Sequence, residues 1–286
     1  MRRDFVFLAL AKNCAGTIPR FLELLATLRR NGSSVTAFVG ENGSSDGTRA
    51  LLQRAQMLGE IRLVPTPFMA DEPRRLRRMA LGREQLKREL DASGIQTRFV
   101  CVLDIDNVIV QPPSPTALLA AAAKLDRPGV FGVSASSRPH YYDLLAFEDE
   151  HRSFTTLLDD LAQSRSGIFQ YHRFFRSRIY PYQRALTSDR EITCGSAFNG
   201  LCLYRADIYR LGSYLDAASD ICEHLVFNRH LGALTGRTML IDPSLVLRTP
   251  ADHAEQSLLP FAWRRLRKLV ALSTQGRLRL PGLLAR

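Results

Sequence analysis

Two acidic residues, with one residue between them, follow a short and continuous apolar run. Asp104 and Asp106 come directly after Val100–Leu103, and a continuous apolar run of this length predicts a strand buried on both faces. Ionised carboxylates at the end of such a strand are costly to bury unless a cation compensates them. Their hard oxygens suit Mg²⁺ or Mn²⁺, which commonly hold substrate phosphates as well. The alternative is a solvated turn, because surface loops contain Asp-x-Asp by chance.

Arginines crowd the segment that precedes this strand. Residues 71–90 are charged and carry a loose apolar stripe at helical spacing, which predicts a helix. Planar guanidinium groups bind phosphate oxygens in bidentate fashion, so we expect at least one of Arg75, Arg78 and Arg83 to meet a phosphate. The alternative is the solvated face of a basic helix.

Apolar runs and helical patterns alternate through the first half of the chain. Runs at 5–11, 35–39, 61–64 and 100–103 are separated by amphipathic or charged helical segments. This alternation predicts βαβ units and a mainly parallel sheet. Ligands of such open sheets bind at the carboxyl ends of the strands. We therefore expect the loops 11–17, 40–48 and 104–107 to lie on one rim.

The second half is less regular. Residues 116–125 are Ala-rich and predict a helix, 130–134 a short strand, and 138–192 an aromatic insertion that shapes a substrate cleft. Small residues at 193–200 form a loop that enters a strand. A helix begins at Glu223 and His224, where a carboxylate also complements the helix dipole. We expect 239–241 and 245–247 to be edge strands.

Composition narrows the classes of function. The net charge of +11 implies acidic partners such as nucleic acid, an anionic membrane or a phosphorylated substrate. Five unpaired-looking cysteines favour reduced thiols in the cytoplasm. The apolar stretch after Arg2 and Arg3 imitates a signal peptide, but a first buried strand explains it better. No apolar run reaches 18 residues, so we expect no transmembrane helix.

The last thirty residues differ from the rest. Residues 258–286 hold seven Lys or Arg and no acidic residue, interleaved with Trp263, Phe261 and several leucines. This pattern is typical of an interfacial amphipathic helix attracted to anionic lipid. We therefore expect a peripheral protein at the inner face of the cell membrane. The alternative is a C-terminal helix that packs on its own domain.

The order of these motifs resembles the GT-A fold of nucleotide-sugar glycosyltransferases. Glu-Asn-Gly-Ser-Ser-Asp-Gly-Thr, an Arg-rich helix, Asp-x-Asp, Gly-Ser-x-Phe-x-Gly and Cys-Glu-His follow one another between residues 5 and 255. The chain is most similar to the family-2-type enzymes and the group related to capsule-associated mannosyltransferases. The resemblance implies a Rossmann-like, mainly parallel sheet flanked by helices, in a single domain with an insertion and a basic amphipathic tail. We expect a nucleotide-sugar-binding half at 1–110, an acceptor-binding half at 111–256 and the tail at 257–286.

The resemblance also implies roles for particular residues. Asn42 and Asp46 lie in the loop that contacts the nucleoside, although Asn42 stands where the family has an acid. Arg83, or failing that Arg78, meets the donor. Asp104 serves the donor ribose and the metal, and Asp106 is the better candidate for direct metal binding. These donor-side residues are Asn42, Asp46, Arg78, Arg83, Asp104 and Asp106.

On the acceptor side, the resemblance implies a wall formed by Gly195, Ser196 and Asn199. Glu223 aligns with the family's catalytic acid and is the general base in an inverting enzyme. His224 replaces a second acid, contacts the acceptor and competes with His253 as a late metal ligand.

These expectations describe a hexosyltransferase that uses Mn²⁺ or Mg²⁺ and a UDP- or GDP-sugar. Its acceptor is a polysaccharide, a lipid-linked glycan or a glycolipid, and no nucleic-acid partner is expected. Three alternatives stay open: a nucleic-acid-binding protein that uses the basic clusters, a sugar-phosphate nucleotidyltransferase, and an inactive GT-A domain that only binds sugar nucleotide. The loop at 12–17 is too poor in glycine for the nucleotidyltransferase, and the arginine cluster lacks the aromatic residues of a nucleic-acid module.

Overall fold

The computed structural model of the chain describes residues 4–106, 111–215, 221–250 and 255–274. It divides into two compact units, one comprising Met1–Thr156 with Gln183–His253 and the other Leu157–Tyr182 with Ala254–Arg286. The first unit holds a sheet of eight strands in the order β3-β2-β1-β4-β7-β5-β8-β6. The strands are β1 Asp4–Ala11, β2 Ser34–Glu41, β3 Arg62–Pro65, β4 Phe99–Asp104, β5 Val130–Arg138, β6 Ile192–Cys194, β7 Leu201–Arg205 and β8 Thr238–Arg248.

The sheet is mainly parallel. Strand β1 pairs in parallel with β2 and β4, and β5 pairs in parallel with β8. Strand β7 runs antiparallel between β4 and β5, and β6 runs antiparallel to β8. The predicted α/β class, with a mainly parallel sheet flanked by helices, is confirmed. The carboxyl ends of β1, β2, β4 and β5 consequently meet at one edge.

The described ranges contain ten α-helices. They are α1 Ile18–Arg30, α2 Thr48–Met57, α3 Arg75–Ala92, α4 Pro115–Lys124, α5 Leu158–Ser164, α6 Ile168–Phe174, α7 Tyr180–Leu186, α8 Ala206–Tyr209, α9 Glu223–Thr235 and α10 Leu258–Thr274. Short 3₁₀ turns lie at Pro67–Ala70, Leu144–Ala146 and Phe154–Leu157, and a π-turn lies at Phe175–Ile179. No helix in these ranges is both long enough and apolar enough to cross a membrane.

Alternation along the strands divides the core between two faces. The odd-numbered residues of β1, such as Phe5 and Phe7, join α1 and α4 in one buried apolar cluster. Helix α3 covers the opposite face and packs closely on β1 at Gly82. A Cβ added at Gly82 would lie 2.6 Å from the Met69 sulfur and 3.0 Å from a Leu10 methyl. The absent side chain thus brings the next residue, Arg83, close to the sheet.

The prediction of edge strands at 239–241 and 245–247 is wrong. These residues belong to one strand, β8, which lies between β5 and β6. Two features explain the difference: β6 is a three-residue strand within the predicted loop, and a register shift lies between Ala135 and Ser136 of β5. That shift carries the β5–β8 pairing from Asp242 directly to Val246, so the chain runs past Pro243 without ending the strand.

The second unit is helical. Phe261 of α10 is 1% exposed and packs its ring against Tyr171, His172 and Phe175. His172 Nε2 lies 3.0 Å from the Gln256 carbonyl oxygen. The tail helix therefore packs with part of the predicted insertion. The domain boundaries predicted at 110 and 256 stay predictions.

Candidate active site

Three loops are joined by hydrogen bonds at the carboxyl ends of β1, β2 and β4. The Asn13 amide donates to Ser44 Oγ over 3.0 Å, and the Ser45 amide donates to Asn13 Oδ1 over 2.8 Å. The Thr17 hydroxyl donates to the Ile105 carbonyl oxygen. The predicted rim of loops 11–17, 40–48 and 104–107 is confirmed for the described residues.

The loop after β2 is shaped by its own acids. Hydrogen bonds from Ser44 and Arg49 lower the pKa of Glu41 although burial opposes its ionisation. Asp46 is exposed, and its carboxylate accepts the amides of Ala15 and Thr48. Asn42 is buried, and its Oδ1 has no hydrogen-bond partner among the described residues. Of the two residues predicted to contact the nucleoside, Asp46 therefore already accepts hydrogen bonds from backbone amides of the loops. The side-chain oxygen of Asn42, in contrast, is an acceptor that is still available to a ligand.

A partly buried ion pair lies at the rim. Nη2 of Arg83 on α3 donates to Asp104 Oδ1 at the end of β4 over 2.6 Å. Arg83 is only 2% exposed, yet its Nε and Nη1 have no hydrogen-bond partner in the described part of the chain. Buried donors are rarely left unpaired. The arginine thus offers two further donors to an anion.

Asp104 is unusually hard to ionise. Burial raises its pKa to about 6, and the negative charge of Asp106 adds to the shift, although Arg83 opposes it. A cation placed beside Asp104 and Asp106 would offset this cost. Asp104 and Asp106 are both among the residues that line a small cleft, together with Thr17, Arg20 and Pro112.

The segment after β5 contributes two residues that the sequence analysis missed. Tyr142 Oη lies 3.4 Å from Asp104 Oδ2. Burial and the charges of Asp104 and Glu223 raise the pKa of the neighbouring Asp143 to about 7, while Arg75 opposes the shift. Their position was recognisable in principle, because β5 is parallel to β4 and ends at the same edge. We predicted that strand to end at residue 134, and this placed Tyr142 and Asp143 in the insertion.

Asn199 holds the Tyr142–Asp143 segment in place. Its Oδ1 accepts the amides of Tyr142 and Asp143 over 3.1 and 3.4 Å and the Ser137 hydroxyl over 3.3 Å. Its Nδ2 donates to the Ala135 carbonyl oxygen, and its φ of +52° is one that asparagine tolerates better than most residues. Asn199 is therefore the clamp of this loop.

The other two residues of the predicted acceptor wall differ in exposure. Ser196 is buried, and its hydroxyl donates to the Ala146 carbonyl oxygen and accepts from Asn228. Gly195 is exposed, and its amide donates to the Glu148 carbonyl oxygen. Ser196 and Asn199 thus bond inward to the protein, and only Gly195 presents surface.

Glu223 and His224 begin α9 beside the same cluster. The negative charge of Glu223 affects the pKa of Asp104, Asp143 and Arg83. Burial, together with the charge of Arg83, holds the pKa of His224 well below its usual range, so its ring is neutral. That ring stacks on Phe198 with centroids 3.5 Å apart, and neither ring nitrogen has a hydrogen-bond partner among the described residues.

The remaining predicted residues are placed as follows. Arg78 is half-buried on α3. His253 lies outside the described residues. Within the described ranges, no group of three or more His, Cys, Asp or Glu side chains is arranged to hold a metal ion. The carboxylate oxygens of Asp104 and Asp106 nevertheless suit Mg²⁺ or Mn²⁺, which need only one or two protein carboxylates when substrate phosphates complete the shell.

No protein-family model and no curated protein matches this chain. Solved structures resemble it at low identity. The mannosyltransferase PcManGT from Pyrobaculum calidifontis, in complex with GDP-Man and Mn²⁺, is 16% identical with a TM-score of 0.52, over 96% of this chain and 64% of that one. This chain thus spans less than two thirds of that enzyme's length.

Two further structures have lower scores. S. aureus TarS 1-349 is 12% identical with a TM-score of 0.48, over 95% of this chain and 65% of that one. Glucosyl-3-phosphoglycerate synthase from Mycobacterium tuberculosis, with Mn²⁺, UDP and glucosyl-3-phosphoglycerate, is 14% identical with a TM-score of 0.43, over 98% of this chain and 82% of that one. Together with the sheet order, the likeness to the mannosyltransferase shows that the chain has the GT-A fold of nucleotide-sugar glycosyltransferases.

Proposed function

We propose that this protein is a metal-dependent glycosyltransferase that moves a hexosyl group from a UDP- or GDP-sugar to a glycan or lipid-linked acceptor. The observation that carries the proposal is the pair of buried Arg83 with partly buried Asp104 at the rim, with two guanidinium donors of Arg83 unpaired among the described residues and Asp106 close enough to raise the pKa of Asp104. A diphosphate and a divalent cation would supply the charges that this arrangement lacks. The mannosyltransferase of the same fold was solved with a nucleotide sugar and Mn²⁺.

The charge of each donor-side residue would determine which part of the donor complex it binds. Arg83 would direct its free N–H groups at the diphosphate, where planar guanidinium donors are most effective. Asp104 and Asp106 would hold Mn²⁺ or Mg²⁺, which when bound stabilises negative charge on the departing diphosphate. The exposed loop from Gly43 to Asp46, with the free acceptor of Asn42, would bind the nucleoside.

The acceptor side offers two acids. Glu223 would take the proton from the acceptor hydroxyl as its oxygen bonds to the anomeric carbon and the bond from that carbon to the diphosphate breaks. Asp143, with a pKa of about 7, would be protonated in a substantial fraction of the molecules near neutral pH, and in that form it would donate a hydrogen bond to the acceptor. Asn199 would act as a positioning residue, because it fixes the backbone of Tyr142 and Asp143.

We also place this reaction in polysaccharide or glycolipid synthesis at the inner face of the cell membrane. The support is the basic, aromatic C-terminal segment, which has the composition of an interfacial helix. An acceptor attached to lipid would then lie close to the enzyme.

The test is a thermal-shift panel of UDP, GDP, CDP and ADP, each with and without Mn²⁺. A ligand at one hundred times its dissociation constant adds about 2.7 kcal/mol to the stability of the folded state. We expect one nucleotide to raise the melting temperature only with Mn²⁺, and Asp106→Asn to abolish the rise. Asp71→Asn, which changes an exposed acid, serves as the control. A shift with RNA or DNA and none with any nucleotide would favour nucleic-acid binding instead.

A further inference from the structure

The chain's net charge is concentrated in its helical unit. Residues 157–182 and 254–286 contain eleven Lys or Arg and three Asp or Glu, for a net charge of +8 out of +11. The remainder, which contains the whole sheet, is close to balanced. Substrate binding at the rim therefore does not account for most of the basic character of the protein.

Helix α10 has two apolar faces. Phe261 and Arg265 lie on the face that packs inside the unit, and Arg265 stacks 4.4 Å from the centroid of the Phe261 ring. The opposite face carries Leu259, Trp263 and Leu266, which are 81%, 60% and 50% exposed. Their spacing of four and three residues aligns them in one stripe along a helix. Single exposed apolar residues are ordinary, but an aligned stripe with a tryptophan marks a contact surface.

Nearby charges identify what the stripe contacts. Arg264 and Arg267 alternate with its residues along α10. Tryptophan with basic flanks suits the boundary between lipid headgroups and acyl chains. Each arginine near an anionic lipid surface adds about 1 kcal/mol of attraction. A protein partner of balanced charge would gain nothing from this excess.

We propose that the helical unit is a preformed docking module for an anionic lipid bilayer, with Leu259, Trp263 and Leu266 as its inserting stripe. The inference rests on the proposed location of the enzyme and not on the proposed reaction. Because Phe261 already holds α10 against Tyr171 and Phe175, the helix does not have to fold on the membrane, and binding loses less conformational entropy.

The chain supplies its own reporter, because Trp263 is its only tryptophan. The full chain is mixed with vesicles of phosphatidylglycerol and phosphatidylcholine, or of phosphatidylcholine alone, and tryptophan emission and flotation are recorded. We expect a blue shift and flotation with the anionic vesicles only, and at least a tenfold loss of binding between 50 mM and 500 mM salt, since screening weakens surface attraction.

Two double variants distinguish insertion of the stripe from nonspecific hydrophobic adsorption to vesicles. Leu259→Ser with Leu266→Ser keeps the tryptophan and should weaken vesicle binding at least tenfold. Leu58→Ser with Leu211→Ser removes similarly exposed leucines from the other unit and should leave binding unchanged. Equal losses in both variants, or a tryptophan shift with RNA but not with vesicles, would overturn the proposal.

The nucleotide panel distinguishes this proposal from the proposed function. Wild-type protein that shows the Mn²⁺-dependent nucleotide shift but ignores anionic vesicles would overturn the docking module alone. Protein that floats with vesicles and shows no nucleotide shift would leave the module standing and overturn the transferase. We expect the Leu259→Ser and Leu266→Ser variant to keep the full nucleotide shift.

Discussion

At the scale of single residues, Asp104 and Asp106 differ in their electrostatic effects. Asp104 neutralises the buried guanidinium of Arg83, whereas Asp106 raises the pKa of Asp104 and so adds repulsion. The Arg83–Asp104 pair therefore supports the fold, whereas the repulsion between the two acids has to be tolerated for another reason. Under the proposed function that reason is the metal.

We predict different stability effects at Arg83 and at Asp106. Arg83→Met leaves Asp104 without the cation that opposes its raised pKa and should cost about 3 kcal/mol of unfolding free energy. Asp106→Asn should change it by less than about 1 kcal/mol while lowering the affinity for Mn²⁺ and nucleotide at least tenfold. Urea denaturation and calorimetry measure both quantities. Equal loss of stability in the two variants would contradict this division.

We predict that Asp143 makes the stability of the protein depend on pH. Its folded pKa is about 7, and in the unfolded chain it returns to about 4. Between these values the folded protein holds a proton that the unfolded chain has released, so stability falls as the pH rises through this window. Asp143→Asn should therefore be more stable than wild type at pH 8, by about 1 to 3 kcal/mol, and the difference should shrink toward pH 5.

Denaturant melts from pH 5 to pH 8 measure this difference directly. Asp71→Asn, at an exposed position, should follow the wild-type curve at every pH. A gap between Asp143→Asn and wild type that stays constant with pH would show that Asp143 does not titrate in this window.

At the scale of elements, the turn before β7 supports the loop after β5. Asn199→Gly keeps the left-handed backbone but removes the acceptor of the Tyr142 and Asp143 amides. We expect a loss of about 2 to 4 kcal/mol from the unpaired buried donors, and a further loss of about 1 kcal/mol in Asn199→Ala from backbone strain. Denaturation measures both losses, and an alanine variant as stable as wild type would contradict the clamp.

Strands and helices were predictable from the sequence where the pattern of apolar residues within the segment itself defines them. The strands that contain Phe7, Phe38 and Val102 are continuous apolar runs, and helical patterns come after the first two. These patterns were enough to predict the parallel strands of the first half of the chain and the rim of loops at their carboxyl ends. The short strand Ile192–Cys194 has no such pattern, because pairing with β8 defines it. Tyr142 and Asp143 were missed for a related reason, since only the pairing of β5 with β8 extends that strand to Arg138.

Burial of single polar residues was not predictable either. Ser196 and Asn199 look like a substrate-facing loop in the sequence, but their partners Ala146, Ala135 and Tyr142 lie fifty or more residues away. The order of motifs placed both Arg83 and Asp104 on the donor side, but it did not predict the ion pair between them.

At the scale of the whole molecule, the two units have different tasks in this account. The sheet-containing unit contains the rim of loops that forms the candidate active site, and the helical unit contains most of the net positive charge. Phe261→Ala removes a ring that contacts Tyr171, His172 and Phe175. It should destabilise the helical unit by about 3 to 5 kcal/mol while the nucleotide shift persists.

Hydrogen exchange resolves this prediction by region. Residues 157–182 should exchange faster in Phe261→Ala, whereas β1 and β4 should keep their protection. Trp263→Ala, which changes an exposed position on the same helix, should alter neither region. Faster exchange throughout the sheet would show that the two units do not unfold separately.

Under the proposed function, Arg83, Asp104 and Asp106 bind a nucleoside diphosphate together with a divalent cation. The most direct measurement is a calorimetric titration of the nucleotide chosen by the panel, with and without Mn²⁺, into wild type, Asp106→Asn and Asp71→Asn. The account predicts one tight Mn²⁺-dependent site in wild type and Asp71→Asn, weakened at least tenfold in Asp106→Asn. Binding that is the same in all three proteins, or that ignores Mn²⁺, would contradict it.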